Sequence, residues 1–230
     1  MKDFSQLEKK IGLKFKKKDL LKQAMVHRSY LNENPTFPLP HNERLEFLGD
    51  AVLELVVTLY LYKNFPNPEG DLTNFRASLV NTRMLAKMAE NLGFDDYLYL
   101  SKGEAKDDKS KARQTILANS FESVVGAIYL DHGFGQAENF IKEKLLKELP
   151  DILKERKYLD AKSKLQEIVQ AKIGVTPAYK VIDEWGPDHN RRFKIGVFFG
   201  RESVAEGEGY SKQEAQMTAA ENALKTKGWL

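Results

Sequence analysis

The chain has 230 residues, room for one large domain or two of ordinary size. Apolar residues at 42% and charged residues at 30% fit a soluble globular protein, and no charge-free stretch is long enough to span a bilayer. The net charge is only +3 and cysteine is absent, which excludes disulfides, thiolate metal sites and a cysteine nucleophile.

The first residues mix acids and bases without an apolar run, so no signal peptide is expected and a cytoplasmic location fits. Through residue 155 the 23 basic and 23 acidic side chains cancel; the 13 basic and 10 acidic residues that follow carry the whole surplus. So small a charge says little about nucleic acid, and the chemistry has to come from motifs.

Apolar spacing of three and four residues predicts helices over 4–11, 19–29, 43–63, 72–91, 111–131 and 136–148. Pro35, Pro38 and Pro40 interrupt the chain before the third of these, Pro66, Pro68 and Gly70 after it, and Gly133 and Gly135 separate the last two. The charged segment 150–164 reads as a helix end followed by a linker. Beyond it the pattern changes. A helix over 163–173 is followed by strands over 178–185, 192–199 and 203–208, rich in β-branched and aromatic residues. Ser211 then caps an alanine-rich helix over 212–225. The expected architecture is multidomain: an all-α domain over 1–152, a linker over 153–160, and a small α-β-β-β-α domain over 161–230.

On the helix over 43–63, Glu43, Glu46 and Asp50 fall within about 60° of one another, and Glu54 extends the stripe. Leu45, Phe47, Leu48, Val52, Leu53 and Leu55 are core-type residues around them, so the stripe is expected on a largely buried helix. Carboxylates gathered there repel one another and lose hydration, and stay ionised only beside cations. On the helix over 111–131, Asn119 and Glu122 form a second polar pair, three residues apart. Oxygen donors from two facing helices suit a hard divalent ion, magnesium first, with manganese able to substitute. The plainer reading of any single glutamate here is a solvated face, or a pair with Arg44 or a lysine. His27, His41 and Tyr30 are likewise read as helix-end or packing residues, and 14–18, with four lysines, as a solvated face.

The run Glu43-Arg44-Leu45-Glu46-Phe47-Leu48-Gly49-Asp50 resembles the signature of the ribonuclease III family. His27-Arg28-Ser29-Tyr30, Glu69-Gly70-Asp71-Leu72-Thr73 followed by Arg76-Ala77, and Phe121-Glu122 with Gly126-Ala127-Ile128-Tyr129-Leu130-Asp131 resemble its neighbouring segments. The resemblance covers about residues 4–148. It implies a metal-dependent endoribonuclease in which activated water hydrolyses phosphodiester bonds of double-stranded RNA, giving 5′-phosphate and 3′-hydroxyl ends with short 3′ overhangs. It also implies a homodimer, roles in ribosomal and messenger RNA processing, and no organic cofactor or membrane partner. Glu46 and Glu122 would be metal ligands together with Asn119, Asp50 and Glu122 would be catalytic, and Glu43 and Glu69 would line the cleft or support the dimer. The family often has Asp where this chain has Asn119, which supplies an oxygen but no charge.

Residues 161–228 resemble a double-stranded-RNA-binding domain through Ser163-Lys164-Leu165-Gln166-Glu167, Pro177-Ala178-Tyr179, the Gly186 to Asn190 loop and the Gly207 to Ala215 segment. A-form RNA offers a shallow minor groove lined with 2′-hydroxyls. Gln166 and Gln170, one turn apart, and His189 on a loop are the expected minor-groove contacts. Lys212 at a helix N-terminus is the expected phosphate contact, with Gln216 one turn on. Related domains place a second lysine after Lys212, where this chain has Gln213. Two rival readings remain at this point: a catalytically weak or silent double-stranded-RNA-binding protein, favoured by Asn119, and a helical phosphohydrolase of small nucleotides.

Overall fold

A computed structural model describes residues 2–106, 110–154, 161–187 and 190–229. The chain divides into two compact units, Met1–Tyr158 and Leu159–Leu230. The first is helical: α1 (Ser5–Ile11), α2 (Lys18–Ala24), α3 (Arg28–Glu33), α4 (Glu43–Asn64), α5 (Glu69–Leu79), α6 (Thr82–Asn91), α7 (Lys102–Lys106), α8 (Lys111–His132), α9 (Phe134–Lys144) and α10 (Leu149–Lys154), with short 3-10 turns at Phe94–Tyr97 and Leu146–Glu148. α8 is the central post. Ile116, Leu117, Phe121, Val124, Val125 and Ile128 are all buried, and α4, α6 and α9 pack around it.

Of the expected helices, 136–148 stops at Lys144 before a 3-10 turn, and two others differ for reasons that lie beyond local spacing. The segment 72–91 is two helices, because Asn81 turns extended and its side chain accepts the Met84 N–H, capping α6. The segment 19–29 ends at Ala24. Val26 instead forms a single parallel bridge to Tyr99, and His27 becomes the N-cap of α3. Local spacing cannot register either event, since one rests on a side-chain cap and the other on a partner 73 positions away.

The N-terminal loop is held by buried carboxylates. Glu8, 7% exposed, accepts the Phe15 N–H at 2.7 Å and pairs with Lys18 at 2.6 Å. Asp131 accepts the consecutive N–H groups of Lys16 and Lys17 at 2.7 and 3.0 Å. Phe15 is thereby in the core, and the lysines around it point outward.

The second unit comprises α11 (Ala161–Ile173), β1 (Ala178–Trp185), β2 (Arg192–Phe199), β3 (Glu202–Gly209) and α12 (Lys212–Thr226). The strands form an antiparallel sheet in the order β1-β2-β3. Leu165 and Val169 of α11, Val197 and Phe199 of β2, and Ala219, Ala220, Ala223 and Leu224 of α12 make its core. Gly207 lets α12 lie directly on β3, for a Cβ there would sit 2.1 Å from the Ala219 nitrogen. On β2, Ile195 and Val197 are buried while Phe193 is half-buried. Trp229 stacks on Phe199, and Trp185 stands 40% exposed.

Candidate active site

α4 and α8 touch backbone to backbone. A Cβ at Gly49 would lie 1.7 Å from the Glu122 carbonyl oxygen, and one at Gly126 would lie 2.3 Å from the Leu45 carbonyl oxygen. Only glycine permits that approach. Gly49 directly precedes Asp50 and follows Glu46 by three residues, so the contact sets Glu46 and Asp50 beside Glu122. Buried Asn42 ties down the same corner: its amide donates to the Ala24 carbonyl at 3.2 Å, its N–H to the Val26 carbonyl at 2.8 Å, and its own carbonyl accepts the Ser123 hydroxyl at 3.4 Å.

Charge accumulates where the helices meet. Burial first, and then the charges of Asp50, Glu46 and Glu54, push the Glu122 carboxyl up to about 8. Glu46 is also raised, first by burial, then by Glu43 and Asp50, while a hydrogen bond from the Asn119 side chain works the other way. Desolvation with like-charge repulsion is the arrangement that a bound cation relieves.

Among the described residues no three His, Asp or Glu side chains form a ready-made metal cage. The donor set is instead two carboxylates, Glu46 and Glu122, and the Asn119 amide, with Asp50 alongside. Few protein oxygens and an open side fit a hard divalent ion that keeps several of its own waters.

The predicted residues separate into groups. Glu46, Asp50, Asn119 and Glu122 share the α4–α8 face. Glu43 joins through Glu46 and is itself met by Arg28 at 3.7 Å and His41 at 3.8 Å, rather than by Arg44 or a lysine. Glu69 has other neighbours. It accepts the Thr73 hydroxyl at 3.0 Å and lines a cavity of about 450 Å³ with Tyr62, Asn67 and Arg76. Glu54 was absent from the expected site; it raises Glu122 and binds Arg76 at 3.0 Å. Its place on the acidic stripe was the available signal.

The expectation of a largely buried signature helix needs correction. Asp50 and Glu43 are exposed and Glu46 is half-buried. Phe47 is 82% exposed, Leu55 50% and Tyr62 77%, so α4 carries an open apolar stripe. Apolar identity alone does not reveal which side of an apolar helix its own domain covers.

In the second unit, Gln166, Gln170 and Lys212 are exposed, and Gln170 donates to Thr176 at 3.3 Å. Gln216 is half-buried and accepts from Lys162 at 2.7 Å, which brings an unanticipated cation to that position. Ser211 accepts the Glu214 N–H at 3.1 Å, capping the helix, and the Glu214 carboxylate accepts the Tyr210 N–H at 2.8 Å, two bonds that fix the backbone around Lys212. The Arg192 guanidinium lies 4.1 Å from the Tyr210 ring centre. His189 lies outside the described residues.

Residues 17–149 match the family model described as ribonuclease-III-like, and residues 161–227 match the double-stranded RNA binding motif. Among curated proteins, ribonuclease 3 of Nitratiruptor sp. is 42% identical over 226 residues, covering 98% of this chain and 97% of that protein. Ribonuclease 3 of Enterococcus faecalis is 43% identical over 223 residues, covering 96% of each. Among solved structures, the nuclease domain of ribonuclease III from Campylobacter jejuni, described as flexible in a region involved in dimer formation, superposes with a TM-score of 0.57 at 38% identity. That match covers 64% of this chain and 99% of the Campylobacter domain. With both segments matched and near-full-length identity above 40%, the chain belongs to the ribonuclease III family.

Proposed function

We propose that this chain is an endoribonuclease that hydrolyses phosphodiester bonds in double-stranded RNA, leaving 5′-phosphate and 3′-hydroxyl ends with short 3′ overhangs. The supporting observation is the gathering of Glu46, Asp50, Asn119 and Glu122 where α4 and α8 meet, on a chain that also carries a double-stranded-RNA-binding domain. In this reading residues 1–152 are the nuclease domain, 153–160 the linker and 161–230 the RNA-binding domain. Ribosomal and messenger RNA precursors in the cytoplasm are the proposed substrates.

Glu46, Glu122 and Asn119 are the proposed ligands of a magnesium ion, for which manganese can substitute. Such an ion supplies charge neutralisation at the phosphate and makes water acidic enough to attack near neutral pH. Facing helices hold Glu46 and Glu122 at fixed separation. Asn119 donates its amide to Glu46, which orients that carboxylate and leaves its own oxygen free to ligate. Asp50, exposed at the rim, accepts hydrogen bonds from incoming water. Glu43 and Glu69 support the cleft. The apolar stripe of Phe47, Leu55 and Tyr62 is the proposed homodimer surface. In the RNA-binding domain Gln166, Gln170 and His189 address the minor groove, and Lys212, with Gln216 beside it, addresses phosphate.

The direct test is a long RNA duplex incubated with magnesium, then with EDTA. Metal-dependent shortening is expected; retardation without cutting would leave only an RNA-holding role, and neither would return the small-nucleotide phosphohydrolase. Asn119→Asp is expected to cut at a similar or higher rate, because it restores a ligand charge. An inert parent chain with an active Asn119→Asp variant would mean that this chain is the silent RNA binder.

Ligation requires Glu122 to be ionised, so protons compete with the metal. Below about pH 8 the apparent magnesium affinity is expected to fall by up to about tenfold per pH unit, and to level off above it. Magnesium titrations of cleavage at pH 6, 7, 8 and 9 check this. A constant half-saturation across that range would remove Glu122 from the ligand set. Lys212→Ala is expected to lower the slope of log affinity against log salt by about one; an unchanged slope would deny Lys212 its phosphate.

A further inference from the structure

A cavity of about 450 Å³ opens between α3 and α8, lined by His27, Arg28, Asn32, Glu104, Thr115 and Asn119 among others. Its size falls within the range of small-ligand sites, about 300–1,000 Å³. It adjoins the acidic face directly, because Asn119 both lines it and hydrogen-bonds Glu46.

Its polar groups are only partly spent. His27 uses Nδ1 to cap α3, accepting from the Ser29 N–H at 3.3 Å and lying 2.7 Å from the Ser29 hydroxyl. With Nδ1 an acceptor, the ring proton sits on Nε2, and among the described residues that N–H meets no acceptor. Burial holds His27 below its ordinary pKa, which keeps the ring neutral. Arg28 touches Glu43 at 3.7 Å from an exposed position, a loose contact that leaves most of its guanidinium donors open. Glu104 is half-buried on the same wall and acts electrostatically on His27. A fixed neutral N–H beside a carboxylate offers one donor and one acceptor, which matches a hydroxyl and repels a second phosphate.

We propose that this cavity is a ribose–phosphate subsite. It takes the nucleotide next to the scissile phosphate, Arg28 pairing with that nucleotide's phosphate and the His27 Nε2–H donating to its 2′-hydroxyl, which in turn donates a hydrogen bond to the Glu104 carboxylate. The proposal rests on the endoribonuclease reading above. It gives the nuclease domain its own means of telling RNA from DNA, since the 2′-hydroxyl is what differs at a given site.

The test uses the full-length chain and an RNA duplex carrying one 2′-deoxy nucleotide, moved position by position around the cut. The parent chain is expected to lose about three- to tenfold in single-turnover rate when the deoxy nucleotide falls in the subsite. His27→Asn keeps a side-chain cap on α3 but removes the ring N–H. It is expected to start slower by that same factor and to lose nothing more at that position. Arg28→Gln, at an exposed residue and so free of folding effects, is expected to lower kcat/KM by about tenfold with magnesium half-saturation unchanged. A parent chain indifferent to deoxy substitution at every position, or His27→Asn and parent chains with the same deoxy profile, overturns the hydroxyl contact. An Arg28→Gln chain with unchanged kcat/KM overturns the phosphate contact. A parent chain that cuts no RNA at all defeats the endoribonuclease reading instead, so the two failures are distinct.

Discussion

Glu122→Gln is expected to bind an RNA duplex as tightly as the parent chain and to cut it more than about a hundredfold more slowly. Removing groups that merely orient a metal ligand costs about 10–100-fold, and Glu122 is proposed as a ligand itself. Glutamine keeps the size and the hydrogen-bonding oxygen, so packing against α4 survives. The same variant carries a second expectation. A carboxyl whose folded pKa is raised contributes stability that is fully present below its unfolded pKa, near 4.5, and is lost as pH rises through about 8. Glutamine is neutral throughout and escapes that loss. In EDTA at pH 9 Glu122→Gln should therefore melt a few degrees above the parent chain, corresponding to about 1–2 kcal/mol after allowance for partial solvent screening. The gap should close toward pH 5. A variant that cuts RNA normally, or melts no higher at pH 9, would show that Glu122 is not the strained carboxylate at the centre of the site. Loss of activity together with gain in stability is the mark of a group retained for function.

Gly49→Ala is the second large effect. The new methyl carbon would sit 1.7 Å from the Glu122 carbonyl oxygen, 2.6 Å from the Glu122 carbonyl carbon and 2.9 Å from the Gly126 nitrogen, all of them backbone atoms. No side chain can swing aside, so α4 and α8 must separate. Overpacking typically costs about 1–3 kcal/mol, occasionally more, and a clash with rigid backbone belongs at the upper end. A fall in Tm of about 5–10 °C is expected for the nuclease domain. Because the contact sets the spacing between Glu46 and Glu122, activity should fall even in the fraction that stays folded. Gly70→Ala is the control. Gly70 lies in α5 with nothing within 4 Å of an added Cβ, so the same substitution should leave stability equal or raise it by about 0.5–1 kcal/mol. If the two variants melt alike, the α4–α8 backbone contact is not what holds the site together.

Much of the architecture is written locally. The helices over α4 and α8, the three strands, and the Ser211 cap of α12 follow from apolar spacing, β-branched runs and one capping side chain, each read within a few residues. The split between α5 and α6 was not read, because the apolar spacing runs on through Asn81, although asparagine favours an N-cap over a helix interior. The fate of Phe47 was not legible either. Leu45 and Phe47 are both core-type, yet one is 4% and the other 82% exposed, according to where α8 lies.

The candidate site divides along the same line. The residue order alone determined that Glu43, Glu46, Asp50 and Glu54 share one helical stripe and that Asn119 and Glu122 share another, since helical periodicity is a property of neighbours in the chain. Only the tertiary structure decided that the two stripes meet, that Gly49 and Gly126 set how closely, that Asn119 serves Glu46, and that His27 and Arg28 stand over an adjoining cavity. Those facts depend on desolvation and on contacts between residues some seventy positions or more apart, quantities that exist only once the helices have packed.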